Sequence, residues 1–332
     1  MIALCAAPML VIANSYRRLK LWNATCGASF EWVGRAINPY LGFQTGWLMI
    51  AANIFGTIAA VVVLAPSVLA VFGAVATSTW PNIAIATAVL LVMLMVAVAG
   101  IRPTARVQVS MAAIEYAILI GFAVLAGRGA AGQAASQLLL RSVYVAQALA
   151  GPGWAKVMAL GLALSVSASV GVGIVALARI TYGMAAHRVL PPVLGTVSPR
   201  FSTPLIASVV TGMILIVATW LYLLSGSVAT VFGTLISVDG LLYAGFYILT
   251  ALATIAYYRR RILASARDAL LAGLLPLGAA GFLGWIIVTS VQGAPGSERW
   301  SLAGIVAAGL IVMGYARFTL RSTFFQTPRE RA

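Results

Sequence analysis

Two carboxylates stand alone in long apolar stretches of this 332-residue chain. Glu115 lies about nine residues into the run Val107 to Ala126, and Asp239 lies about midway along Val228 to Tyr257. Asp239 is the only charge between Phe201 and Tyr258. A carboxyl group in such surroundings is costly to ionise, so each is a candidate for holding a proton or a cation. Each also reads as a plain polar contact between neighbouring helices. Ser165, Ser167 and Ser169 alternate along a third apolar run, with Gly171 and Gly173 after them. Small residues so arranged permit close helix packing. Asn53, with Gly56 one turn later, is a polar position placed to line a cavity. His187 is the single histidine; it falls in a basic segment and reads as a solvated loop residue.

The elements that must carry these residues are apolar throughout. Apolar types make up 62% of the chain and charged types 8%, against about 25% charged in a soluble domain. So few charges cannot coat a soluble surface. Two cysteines and 13 prolines exclude disulfide-rich and collagen-like classes. Between Arg35 and Arg102 lie 66 residues without a charge. A bilayer core of roughly 30 Å takes about 20 apolar residues as helix. Eight full spans are predicted: Leu41 to Phe72, Ile83 to Ala99, Val107 to Ala126, Val157 to Ala178, Pro204 to Leu224, Val228 to Tyr257, Ala269 to Val291 and Leu302 to Ala316. The fold class is an all-α polytopic membrane helix bundle.

The opening run Ile2 to Ser15 is shorter, rising about 21 Å as helix. Its charges Arg17, Arg18 and Lys20 follow the apolar run, which is the reverse of a signal peptide. It is expected to be the tail of a helix that begins upstream, making about nine membrane segments. Threading the spans alternately puts 17 of the 21 basic residues on one side. Only Arg128, Arg141, Lys156 and Arg299 fall on the other. Basic loops mark the cytoplasmic side, so the C-terminus is expected there. Gly129 to Ala155 is too short and polar to cross, and reads either as a helix in the outer interface or as an unstructured loop.

Enzyme signatures do not occur. There is no His-Glu-x-x-His, no phosphate-binding Gly-x-x-x-x-Gly-Lys and no Gly-x-Ser-x-Gly. No enzyme activity, cofactor, metal centre or nucleic-acid partner is expected. The position of the basic residues, in short loops, accounts for the net charge of +15 through the lipid bilayer instead.

Three segments share a wider pattern. Cys26 to Trp47 reads CGASFEWVGRAINPYLGFQTGW, Gly100 to Gln108 reads GIRPTARVQ, and Ala178 to Pro191 reads ARITYGMAAHRVLP, followed by Ser198 to Pro204. In order and spacing these resemble loops of the amino acid–polyamine–organocation (APC) permeases. They match the loop between the second and third helices, that between the fourth and fifth, and the signature after the eighth. Within the first segment, Phe30, Trp32, Val33 and Ile37 form one face of a short interfacial helix, with Glu31, Gly34 and Arg35 largely on the other.

The resemblance implies a leucine-transporter-like inverted-repeat fold, here incomplete. Residues 1–127 align with the second to fifth helices and 128–156 with an outer interfacial connection. Residues 157–258 align with the eighth to tenth helices, and 259–332 with the last two helices and a cytoplasmic tail. The first, sixth and seventh helices find no counterpart. The resemblance also implies a function: secondary transport of an amino acid or related amine across the cytoplasmic membrane, coupled to Na+ or H+ or to exchange. An Arg to Lys ratio of 19 to 2, with the many Ala and Gly, points toward a GC-rich bacterial genome and hence an inner membrane. Asn53 and Gly56 would contact substrate; Glu115, Asp239, Ser165, Ser167 and Ser169 would serve ion coupling. The alternative is a truncated, non-transporting member acting as an assembly or regulatory partner, or inactive.

The charge split generates the first test. A cysteine placed at Gln133 is expected to react with an impermeant reagent added outside, and one at Ser198 is not; labelling at Ser198 would reverse the topology.

Overall fold

The computed structural model describes residues 2–74, 79–127, 151–226 and 228–326. Most of Gly129 to Ala155, expected as an outer connection, lies outside them. Among the described residues every regular element is helical. The chain runs α1 (Ile2–Trp22), α2 (Ser29–Ala36), α3 (Pro39–Val71), α4 (Thr79–Ala99) and α5 (Ile101–Gly127). It continues through α6 (Pro152–Ala186), α7 (Leu205–Ser225) and α8 (Val228–Ala264). It ends with α9 (Ala266–Gly293), which includes a π-helical stretch at Ala269–Leu274, and α10 (Gly296–Phe318). Short 3-10 turns stand at Pro192–Gly195 and Thr323–Gln326.

Among the described residues seven helices are long and apolar enough to cross a membrane: α3, α4, and α6 to α10. The other two of the nine expected segments are helical but more polar. Helix α1 carries Arg17, Arg18 and Lys20 in its last two turns, and α5 carries Arg102, Arg106 and Glu115. The helix ends differ from the sequence expectation in instructive ways. Helix α1 continues past Ser15 to Trp22, and over this stretch Tyr258 donates a hydrogen bond to the Arg18 carbonyl at 3.1 Å and Arg18 pairs with Asp268. Helix α4 ends at Ala99, as expected, and Arg102 and Pro103 lie in the first turn of α5, which starts after the single residue Gly100. Gly100, at φ +121°, makes that turn, and proline is tolerated in a first helical turn where its missing N–H has no partner to lose. Helix α6 starts at Pro152, earlier than Val157.

The described chain divides into two compact units. One comprises residues 1–55, 176–197 and 236–332; the other comprises 56–175 and 198–235. In the first unit α1 lies along α9, with Ile12 among Ala279, Ala280 and Leu283, and Asn14 donating to the Leu271 carbonyl at 3.1 Å. That side chain meets the backbone inside the π-helical stretch, where the regular helical ladder is already interrupted. In the second unit α4 packs along α7: Leu94 fills the space a side chain at Gly212 would need. Trp220 donates to the Thr87 hydroxyl at 2.8 Å across the same contact.

The first unit also holds the tightest backbone approach. A Cβ on Gly42 would stand 2.5 Å from the Gly34 Cα and 2.6 Å from its nitrogen. Backbone cannot yield as a flexible side chain can. Gly42→Val is therefore expected to destabilise the protein by about 1–3 kcal/mol or more. Gly281→Ala, where nothing lies within 4 Å, is expected to be neutral. Melting temperatures of the two variants in the same detergent check this.

Candidate functional site

The three motif segments fold into two junctions. In the first unit, Cys26 to Trp47 meets the end of α6. Gly183 lies so close to Gly27 that a Cβ would fall 2.8 Å from the Gly27 backbone, and Gly46 faces the Met184 sulfur. In the second unit, the turn at Gly100 meets Ser198 to Pro204. Thr203 donates to the Val98 carbonyl at 3.2 Å, and the Ser198 N–H donates to the Thr203 carbonyl.

At the first junction α2 departs from its expected interfacial character. Phe30, Trp32 and Val33 are buried, but so are Glu31 and Gly34 on the face expected to meet water. The reason lies far away in sequence. Phe324 stacks on Phe30 at 4.4 Å and occupies the space beside Gly34. Glu31, 5% exposed, places its carboxylate 3.6 Å from Arg35 and 3.4 Å from the His187 Nε2. His187 is thus more than a solvated loop residue: its ring, about a third exposed, lies against the edge of the stacked Phe30 and Phe324 pair, and its carbonyl accepts from the Ser322 hydroxyl at 2.6 Å. Burial alone would push the Glu31 carboxyl up. Hydrogen bonding and charge from His187, with the charge of Arg35, outweigh it and hold the group below 4.5. The polar seam continues inward: Thr250 donates to the Ser29 hydroxyl at 2.8 Å, and Ser29 donates to the Tyr16 hydroxyl at 2.8 Å.

Asp239 lies on α8 in the same unit, and its Oδ1 is buried. Its carboxylate is near enough to act electrostatically on Tyr243 and Tyr247, one and two turns on. Tyr243 and Tyr247 stand 5.7 Å apart by ring centroids, and Tyr247 meets Tyr16 edge-on at 6.1 Å. Asp239, Tyr243, Tyr247, Thr250, Thr254 and Tyr258 recur at helical spacing, so α8 carries a polar stripe that its sequence shows once read at intervals of three and four. Helix α8 runs through Gly240, next to Asp239, unbroken. Asn53, half-buried on α3, donates to the Met49 carbonyl at 2.8 Å.

In the second unit Ser167 donates to the Ala163 carbonyl at 2.7 Å and Ser169 to the Ser165 carbonyl at 3.0 Å. Gly173 packs against Thr57, the neighbour of Gly56, and Gly171 against Met93 and Gln108, so these two glycines serve close helix packing. Glu115 is half-buried between exposed Ile114 and Tyr116, and no hydrogen bond or ion pair reaches it from the described residues. No hydrogen bond joins it to the three serines. The first unit also contains an apolar cavity of about 380 Å³, lined by Trp47, Ile54, Phe55, Ile305, Ala308 and, as a lone hydroxyl, Ser301. Such a lining offers nothing to a zwitterion.

Residues 134–315, more than half of the chain, match a family model described as amino acid permease. The match contains the third motif, Ser165, Ser167, Ser169 and Asp239; Asn53, Gly56 and Glu115 lie outside it. No curated protein matches the chain.

Because Glu31 is held below its ordinary value, the contacts to His187 and Arg35 add stability above pH 4.5, and this is lost as the pH falls through the lowered value. Glu31→Gln is expected to cost about 1–2 kcal/mol at neutral pH, its two partners being partly solvated. Its melting temperature should start to approach that of the unsubstituted protein below pH 4.5 and meet it only below the lowered value, measured by thermal denaturation across that range.

Proposed function

The chain belongs to the amino acid permease family, and we propose that it acts as a secondary transporter of an amino acid or a related amine. The observation that carries this reading is the family match over residues 134–315, in a multi-pass membrane protein with seven helices among the described residues able to cross a bilayer. The basic ends of its helices are read as the cytoplasmic side, with the C-terminus there, and the membrane as a bacterial inner membrane.

Asp239 is the residue best placed to couple transport to H+ or another cation. It is an ionisable group deep in a membrane-crossing helix, and such groups are retained at a cost of several kcal/mol (about 2.5–3.5 on insertion scales). The phenols of Tyr243 and Tyr247 lie within electrostatic reach of its carboxylate. Asn53 and Gly56 are assigned to substrate. Glu115, Ser165, Ser167 and Ser169 are assigned to the coupling cation, because a hydroxyl that donates to its own helix keeps its lone pairs free to ligate.

Uptake into proteoliposomes tests the proposal, using labelled amino acids with and without an imposed proton or sodium gradient. Saturable, gradient-dependent uptake is expected, and Asp239→Asn should reduce the gradient-dependent part by about 5- to 150-fold, the span of ordinary coupling energies. Uptake that is absent under every gradient and in exchange would favour the non-transporting alternative.

A further inference from the structure

Two tips of the first unit are braced into one surface whose chemistry the permease reading does not use. One is the last turn of α1, ending Arg17-Arg18-Leu19-Lys20-Leu21-Trp22; the other is the α8–α9 turn, Arg259 to Asp268. Arg18 Nη1 meets Asp268 Oδ1 at 2.9 Å, the Tyr258 hydroxyl donates to the Arg18 carbonyl, and Trp22 stacks on Tyr257 at 3.9 Å. Arg18 and Arg261 both lie over the Tyr258 ring, at 5.6 and 5.9 Å. These contacts engage Arg18, Arg261 and Asp268. Arg17, Lys20, Arg259, Arg260 and Arg267 remain exposed, with no carboxylate within ion-pair distance among the described residues.

Beside them stand two bare leucines. Leu263 is 90% exposed and Leu21 is 76% exposed. A solvated basic loop accounts for the cations but not for protruding leucines interleaved with them. The combination fits a surface that is part ionic and part hydrocarbon. Tyr257, Tyr258 and Trp22 mark the level of the boundary, since such rings settle where headgroups begin. Cations just beyond that level, with alkyl side chains among them, suit a phosphodiester and the first carbons of its acyl chains. Guanidinium groups are matched to phosphate oxygens by their fork of donors.

We propose that the α1 tip and the α8–α9 turn form a binding surface for anionic phospholipid. Arg259, Arg260 and Arg267 hold headgroup phosphates, Arg17 and Lys20 extend the charge, and Leu263 and Leu21 enter the acyl boundary. The Arg18–Asp268–Tyr258 contact positions the two tips. The proposal stands on this surface and is independent of transport.

Native mass spectrometry of the purified full chain tests it, with phosphatidylglycerol or phosphatidylcholine added in detergent. Phosphatidylglycerol is expected to be retained preferentially, and less so as salt rises. Substituting Arg259→Gln, Arg260→Gln and Arg267→Gln together should weaken retention by about fivefold per cation removed. The matching lysine substitutions should keep most of it, and Leu263→Ser should weaken it with the charge intact. If the triple glutamine variant fails to fold, Arg17→Gln with Lys20→Gln and the salt series on the unaltered chain carry the same test. Equal retention of the two lipids would overturn the proposal, as would unchanged retention in the substituted chain. Displacement of the lipid by free glycerol phosphate, or by an oligoglutamate peptide, would assign the surface to a soluble anion or an acidic protein instead.

Discussion

Hydrocarbon offers no hydrogen bonds, so every polar group inside the apolar helices must find its partner within the protein. This constraint explains a pattern that recurs throughout the chain. Thr45 donates to Leu41, Ser67 to Val63, Thr211 to Ala207 and Thr254 to Thr250, each to the carbonyl one turn back. The hydroxyls of Ser167 and Ser169 and the amide of Asn53 do the same. A residue satisfied on its own helix makes no demand on its neighbours. Helices built this way can carry polar residues without committing them to one packing arrangement.

Groups outside the pattern show what close packing costs. Both amide atoms of Gln44 are buried without a partner among the described residues, at about 1–3 kcal/mol for each such group. Gln44 is held there because α3 and α10 approach closely in the first unit. Gly309 leaves no space between Gln44 and Trp47, and Trp47 donates to the Ile305 carbonyl at 2.8 Å. The indole bond and the surrounding apolar contacts offset the unmet amide. In the second unit the buried Thr219 hydroxyl and Asn82 Oδ1 are in the same position, on the two helices that meet at Gly212 and Leu94.

The helices were legible in the sequence because length and apolar content suffice to locate them. Leu41 to Phe72 lies within two residues of α3 at either end, and Val228 to Tyr257 starts with α8 but stops short of its end at Ala264. Their ends were less legible, since ends are decided by contacts. Helix α1 passes its basic residues, and there Tyr258 and Asp268, more than two hundred residues later, meet Arg18. The amphipathic pattern of α2 is visible in the sequence, but what covers its polar face is not. Polar residues on one face imply water only when nothing else covers that face, and here His187 and Phe324 do. The Asp239 stripe was available in the sequence as a helical period of polar residues. The pairing of Glu31 with His187 has no local signature at all.

Helix α2 shows why such pairings matter beyond their own energy. Eight residues form too few backbone bonds to be stable as an isolated helix, so tertiary contacts must fix it. Four do so. Ser29 ties it to Tyr16 on α1 and Thr250 on α8, and Glu31 ties it to His187 after α6. Phe30 ties it to Phe324 beyond α10. All four are hydrogen-bonded, ionic or aromatic, and hence directional, whereas aliphatic packing would tolerate rotation of the short helix. The close approaches at Gly42 and Gly183 add the complementary restriction, setting how near α3 and α6 can come. Directional bonds fix the orientation of α2 and the glycines fix its separation from its neighbours. Together they make a short amphipathic segment the point at which α1, α3, α6, α8 and the C-terminal turn are held in register.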